Sequence, residues 1–242
     1  MSQQAAPDTR PPPLDIALTI RRTVQAFGRD FAGVVLGGIA LVAIPGGLAR
    51  SLAPDGDWAT LVITLRSVCA MLYVALVSWG VVARLRGRAL PPQDFVREGL
   101  VRAQPGVQVG LIAGAAVVAG LTVQLFARHG TVEGWLLDSL LLTGALWAVT
   151  VLMPVVPAAV VERLGPVAAF RRAAALTAGN RNRILALALL LTLTLAPSAA
   201  LVAGMAGPGG GGIVISTLFE LVAWSLVATV PAVVYAGLGK PA

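Results

Sequence analysis

Three ionisable residues stand inside or beside long apolar runs of this 242-residue sequence: Arg66, Asp138 and Glu220. A charge in hydrocarbon is costly and rarely faces lipid, so each needs a counter-charge, a polar cavity or the membrane surface. Arg66 lies nine residues past Asp57, about 14 Å along a helix at its usual rise per residue. Glu220 precedes Tyr235 by 15 positions and Arg66 precedes Arg84 by 18, which puts the two at comparable heights. The expectation is a pair between Arg66 and Glu220 across two membrane helices, or between Arg66 and Asp138 nearer the outer surface. Such a pair is either a packing salt bridge or part of a substrate or proton path. An arginine snorkelling outward is the third alternative.

Other chemistry finds little support. His129 is the single histidine and sits in a short polar turn from Arg128 to Glu133, so neither a two-histidine metal site nor a Ser-His-Asp triad can be assembled. The single cysteine, Cys69, lies in apolar sequence and reads as a small packing residue. Gly207-Pro208-Gly209-Gly210-Gly211-Gly212 lacks the lysine and Ser/Thr of a phosphate-binding loop and reads as a flexible connector. No catalytic residue, metal or cofactor is therefore expected, and the chain is read as non-enzymatic.

The charged and ionisable residues are held in an unusually apolar chain. Hydrophobic residues make up 57%, charged residues 12%, and the mean hydropathy is +0.85, more apolar surface than a water-soluble core can hide. The fold class expected is all-α integral membrane. A crossing needs about 20 mostly apolar residues, and six such stretches are placed at 31–49, 59–83, 107–127, 135–161, 184–205 and 212–236. The polar, proline-rich residues 1–13 read as a disordered tail and not as a cleavable signal peptide.

The net charge of +7 is unevenly placed. Arg10, Arg21, Arg22 and Arg29 precede the first span, and Arg84, Arg86, Arg88, Arg97 and Arg102 lie between the second and third. Arg163, Arg171, Arg172, Arg181 and Arg183 lie between the fourth and fifth, and Lys240 follows the sixth. Arg50 and Arg128 alone fall on the other side. The positive-inside rule makes the basic side cytoplasmic, with both termini on it, and its natural partners are anionic lipid headgroups, not nucleic acid.

The basic side also carries a repeated order of events: a short amphipathic segment, a span out and a span back. Ile16, Ile20, Val24 and Phe27 share one face of 14–27. Phe95, Val96, Gly99, Leu100 and Ala103 share one face of 94–103, and Phe170 stands on an alanine-rich face of 167–178. Arg22, Arg97 and Arg172 follow one another at 75-residue intervals. Pro13, Pro92 and Pro166 open these segments, and Gly28, Pro105 and Gly179 close them. The units run over 14–90, 91–164 and 165–242, three repeats of interfacial helix plus transmembrane hairpin. Gly33-x-x-x-Gly37 and Gly110-x-x-x-Gly114 predict close helix approach, and Pro154, Pro157 and Pro231 predict kinks.

Residues 156–184 carry Glu162 followed by Gly165-Pro166, a helix with Arg171 and Arg172, and a Leu176-Thr177-x-Gly179-Asn180 turn. This run resembles a bacterial six-span membrane family: the membrane domain attached to some glycerophosphoryl diester phosphodiesterases, and its stand-alone relatives. Asn182 stands where that family often has an aromatic residue. The resemblance implies a bacterial inner-membrane location and a six-span fold, and carries no activity. The function expected is a scaffold or accessory subunit that engages anionic lipid, or a protein partner, through Arg22, Arg97, Arg171 and Arg172. The alternative is a transporter or lipid-translocating protein with a pathway near Arg66 and Glu220.

Overall fold

Long apolar runs satisfy their backbone N–H and C=O groups away from water by coiling into helices. The computed structural model describes residues 13–52, 57–125, 132–206 and 209–239, and every regular element among them is helical. In chain order they are α1 (Ile16–Arg29), α2 (Phe31–Gly38), a π-helical turn (Ile39–Ala43), α3 (Ile44–Leu52) and α4 (Asp57–Leu85). There follow α5 (Pro92–Arg102), α6 (Gln104–Leu125), α7 (Val132–Leu152), α8 (Val155–Glu162), α9 (Pro166–Thr177), α10 (Arg181–Ala206) and α11 (Gly210–Leu238). Five stretches are long and apolar enough to cross a membrane: Phe31–Ser51, Leu61–Leu85, Ser139–Glu162, Arg181–Ala206 and Gly210–Leu238. The remaining predicted span, 107–127, falls on α6, which has no charged residue and whose last two predicted positions lie outside the described residues.

Local chemistry sets the helix ends. Asp15 caps α1, its carboxylate accepting from the Leu18 amide at 2.9 Å, so Asp15 starts this helix in place of Pro13. Pro92 and Pro166 occupy the first turns of α5 and α9, where a missing N–H costs nothing. Gly179, at φ +83°, adopts the left-handed conformation that ends the α9 turn. Gly28 and Pro105 do not close their segments: α1 runs on to Arg29, and Pro105 is the second residue of α6. Gly210 to Gly212 form the first turn of α11, so part of the run read as a flexible connector is helical.

The prolines act unequally. Pro154 separates α7 from α8, while α10 and α11 continue through Pro197 and Pro231. A break the sequence reading missed lies in the first span. There the Ile44 amide reaches back five residues to the Ile39 carbonyl, and Pro45, which has no amide, follows directly. The wide turn makes room for the proline ring and changes the phase of everything after it.

The packed centre lies in one half of the bundle. Residues 73–83 of α4 are buried on every side, and so is most of α11 from Ala228 to Tyr235. α4, α8 and α11 meet one another there, with α5 against α4, α1 against α11 and α9 against α8. Small residues set the spacing. The Phe95 ring of α5 fills the space left by Gly33 and Gly80, and a Cβ at Gly33 would stand 2.8 Å from it. Gly37 faces Leu76 and Gly110 faces Met71, whereas Gly114 faces open space. Tyr73 ties three helices, its hydroxyl 2.7 Å from Ser225 Oγ and 3.2 Å from the Val34 carbonyl. Toward the other half the helices present apolar residues outward, among them Leu61, Ile63, Leu65, Leu201 and Leu218.

Candidate functional site

Gly46 and Arg50, four residues apart, share one face of α3, and the π turn before them sets where that face points. It points at Glu220 of α11. Glu220 Oε2 accepts from Arg50 Nη2 at 2.5 Å, and Glu220 Oε1 accepts from Arg66 Nη2 of α4. Arg50 Nη1 also donates to Thr217 Oγ1 at 3.2 Å, from one turn earlier on α11. A Cβ at residue 46 would stand 3.0 Å from Glu220 Oε2, so the glycine leaves room for the carboxylate. Glu220 is 8% exposed, while the side chains of Arg66 and Arg50 are 40% and 29% exposed. Two guanidiniums thus share one carboxylate, leaving one positive charge over among the described residues.

Of the two predicted pairings, the structure brings together Arg66 and Glu220. Asp138 lies on α7, which packs on α6, α8, α9 and α10, and its side chain is outside the described part. Arg50 was not predicted. Its signal was present as a lone cation one turn past Gly46, but its direction depends on the π turn. Arg50 and Glu220 also line a groove of about 360 Å³ between α10 and α11, walled by Ala199, Val202, Ala203, Phe219 and Trp224.

A second candidate lies at the opposite end, where α1 packs against the ends of α4 and α11. Arg22, Gln25 and Arg29 recur at helical spacing on α1, and with Arg86 and Tyr235 they line a cavity of about 530 Å³ that no carboxylate among the described residues lines. Glu162 stands behind it, accepting from the Tyr235 hydroxyl at 2.7 Å and from Arg172 Nε at 3.0 Å. The predicted basic residues therefore divide: Arg22 lines the cavity, Arg172 is paired, and Arg97 and Arg171 are exposed outside it. Arg29 and Arg86 were missed as cavity residues. Nearby, Arg84 pairs with the buried Asp30 at 2.7 Å and Arg88 with Glu98 at 2.7 Å. Arg102 lies over the Trp79 ring at 3.9 Å; burial, with Arg163 beside it, lowers its guanidinium below the ordinary value.

The start of α1 is fastened across the chain. The Leu14 amide donates to Asn180 Oδ1 at 2.7 Å, and Arg183 Nη1 donates to the Leu14 carbonyl at 2.9 Å. Among the described residues no cluster of three His, Cys, Asp or Glu side chains could hold a metal ion.

Among the described residues these features define a class, an all-helical protein with the long apolar helices of a multi-pass membrane protein, an ion-pair cluster on a buried glutamate and a basic cavity. No protein-family model matches the chain, and neither a curated protein nor a solved structure matches it.

Proposed function

We propose that this chain is an inner-membrane scaffold or accessory subunit that holds an anionic phospholipid headgroup at its cytoplasmic face. The observation that carries the reading is the cavity of about 530 Å³ lined by Arg22, Arg29 and Arg86, with no lining carboxylate among the described residues. Guanidiniums match phosphate oxygens with forked, charge-assisted hydrogen bonds, and basic residues at a membrane surface gain on the order of 1 kcal/mol each from anionic lipid. In this reading α6 is a sixth crossing, both termini are cytoplasmic, and α1, α5 and α9 lie at the interface, each heading a hairpin. The meeting of α4, α8 and α11, the returning helix of each hairpin, supports a three-unit origin. The kinship implied by residues 156–184 belongs to the same proposal.

The test is native mass spectrometry of the protein released from membranes. The wild type should retain an anionic phospholipid that a combined Arg22→Gln, Arg29→Gln, Arg86→Gln variant loses. Equal retention by both sinks the reading. Reporter fusions at each terminus test the orientation separately, and a reporter active only outside the cytoplasm would invert it.

Translocation past Arg66 and Glu220 is a second reading, favoured by the groove that reaches Glu220 and Arg50. Its walls are mainly alanine, valine and aromatic side chains, which suits a lipid chain better than a water-filled path.

A further inference from the structure

The groove between α10 and α11 combines two properties at one place. Its walls are apolar and open toward the side where lipid would lie, with Ala199 and Ala203 exposed and Phe219, Trp224 and Val227 partly exposed. At Arg50 it meets a cluster in which two arginines share Glu220. Helix length gives the depth. Glu220 is ten residues into α11, about 15 Å from the helix start, within the half of the bilayer opposite the basic cavity. Among the described residues the cluster carries one positive charge more than its carboxylate offsets, which at that depth is unfavourable unless an anion or the headgroup layer meets it. Arg50 stands two residues before the end of α3 and pairs with that carboxylate, its side chain 29% exposed.

We infer that the groove is a lipid site: one acyl chain of an anionic phospholipid of the outer leaflet lies along Phe219 and Trp224, and its phosphate pairs with Arg50, backed by Arg66. Charge complementarity selects the occupant. A zwitterionic lipid brings its own cation to the arginines, whereas an anionic lipid neutralises the surplus. The site is distinct from the proposed cytoplasmic one and shares with it only the premise that the chain spans a bilayer.

Trp224 in the groove wall reports occupancy directly. The full-length protein is reconstituted into vesicles of brominated phosphatidylglycerol or brominated phosphatidylcholine diluted in unlabelled lipid, and tryptophan quenching is read for wild type minus Trp224→Phe. The Trp224 component should be quenched by the anionic lipid at about fivefold lower mole fraction, the ratio that about 1 kcal/mol gives. That preference should collapse toward one in Arg50→Gln, and filling the groove with Ala203→Leu should weaken quenching by both lipids. It should survive the triple Arg22, Arg29, Arg86 variant, which separates this site from the cytoplasmic one. Equal quenching by the two lipids overturns the inference, as does a preference that persists in Arg50→Gln. Absence of quenching of any tryptophan by either lipid would remove the membrane-spanning premise itself.

Discussion

Replacing Glu220 by glutamine keeps shape and one acceptor but removes the negative charge that Arg50 and Arg66 share. An opposite pair at about 4 Å is worth about 4 kcal/mol at an effective dielectric near 20, and Glu220 makes two such pairs. Most of that gain offsets the desolvation of three charges, and both arginines have an escape, since their side chains are 29% and 40% exposed and can reach toward the surface. The net loss for Glu220→Gln is therefore set at about 1–3 kcal/mol, below the range for fully buried pairs. At the sensitivity of a chain this size, that lowers Tm by about 2–12 °C. Arg50→Gln should behave differently, because Glu220 keeps Arg66 and the repulsion between the arginines disappears; its cost is expected at under about 1 kcal/mol. The double variant should be more stable than Glu220→Gln alone. Thermal unfolding of the detergent-solubilised protein, followed by dye binding and far-ultraviolet circular dichroism, gives the four corners of the cycle. An Arg50→Gln loss as large as that of Glu220→Gln, or additive losses in the double variant, would refute the shared-carboxylate account.

Three further substitutions probe other links. Gly80→Ala sets a methyl group against the Phe95 ring, which is 1% exposed and has nowhere to retreat, so a loss of about 1–3 kcal/mol is expected; Phe95→Leu should recover part of it in the double variant, and no recovery would argue against the socket. Asn180→Ala strips the buried Leu14 amide of its acceptor, at a cost of about 1–3 kcal/mol, and limited proteolysis should then release the segment before α2 sooner than in the wild type. Arg88→Ala removes a pair whose partners are 55% and 31% exposed and should leave Tm within about 4 °C of the wild type, since exposed pairs contribute at most about 1 kcal/mol.

The helical class was legible because a hydrocarbon-like composition admits few backbone solutions, and long apolar runs state their extent in the residues themselves. Five of the predicted spans coincide with long apolar helices to within a few residues at most ends. The short helices were legible too, since Pro92, Pro166 and Gly179 act locally. Gly28 and Pro105 misled because glycine is tolerated inside a helix at modest cost, and proline serves as well in a first turn as after a last one.

The candidate site was legible only in part, and Arg50 shows why. Counting residues along α4 and α11 sufficed to bring Arg66 level with Glu220, because α4 runs unbroken from Asp57 to Leu85 and α11 continues even through Pro231, so height along each follows from rise per residue. The first span has no such continuity. A π turn adds a residue to one turn of the helix, which rotates everything beyond it relative to an uninterrupted α-helix. From Phe31 the α-helical phase alone therefore assigns Arg50 to the wrong face. With the wide turn at Ile39–Ala43, Gly46 and Arg50 both face Glu220, and the ion pair becomes a cluster of three. The same argument explains the missed cavity arginines. Arg22 and Arg29 could be grouped from the period of α1, but Arg86 joins them only through the packing of α1 and α4 around α11, which no local pattern encodes. Pro45 is thus the residue whose replacement best separates local from tertiary causes. Pro45→Ala restores an amide, and if the wide turn relaxes to α-helical geometry, Arg50 rotates away and Glu220 retains Arg66 alone. In that background Arg50→Gln should become silent in Tm, whereas an unchanged cost would show that packing against α11 holds the π turn without the proline.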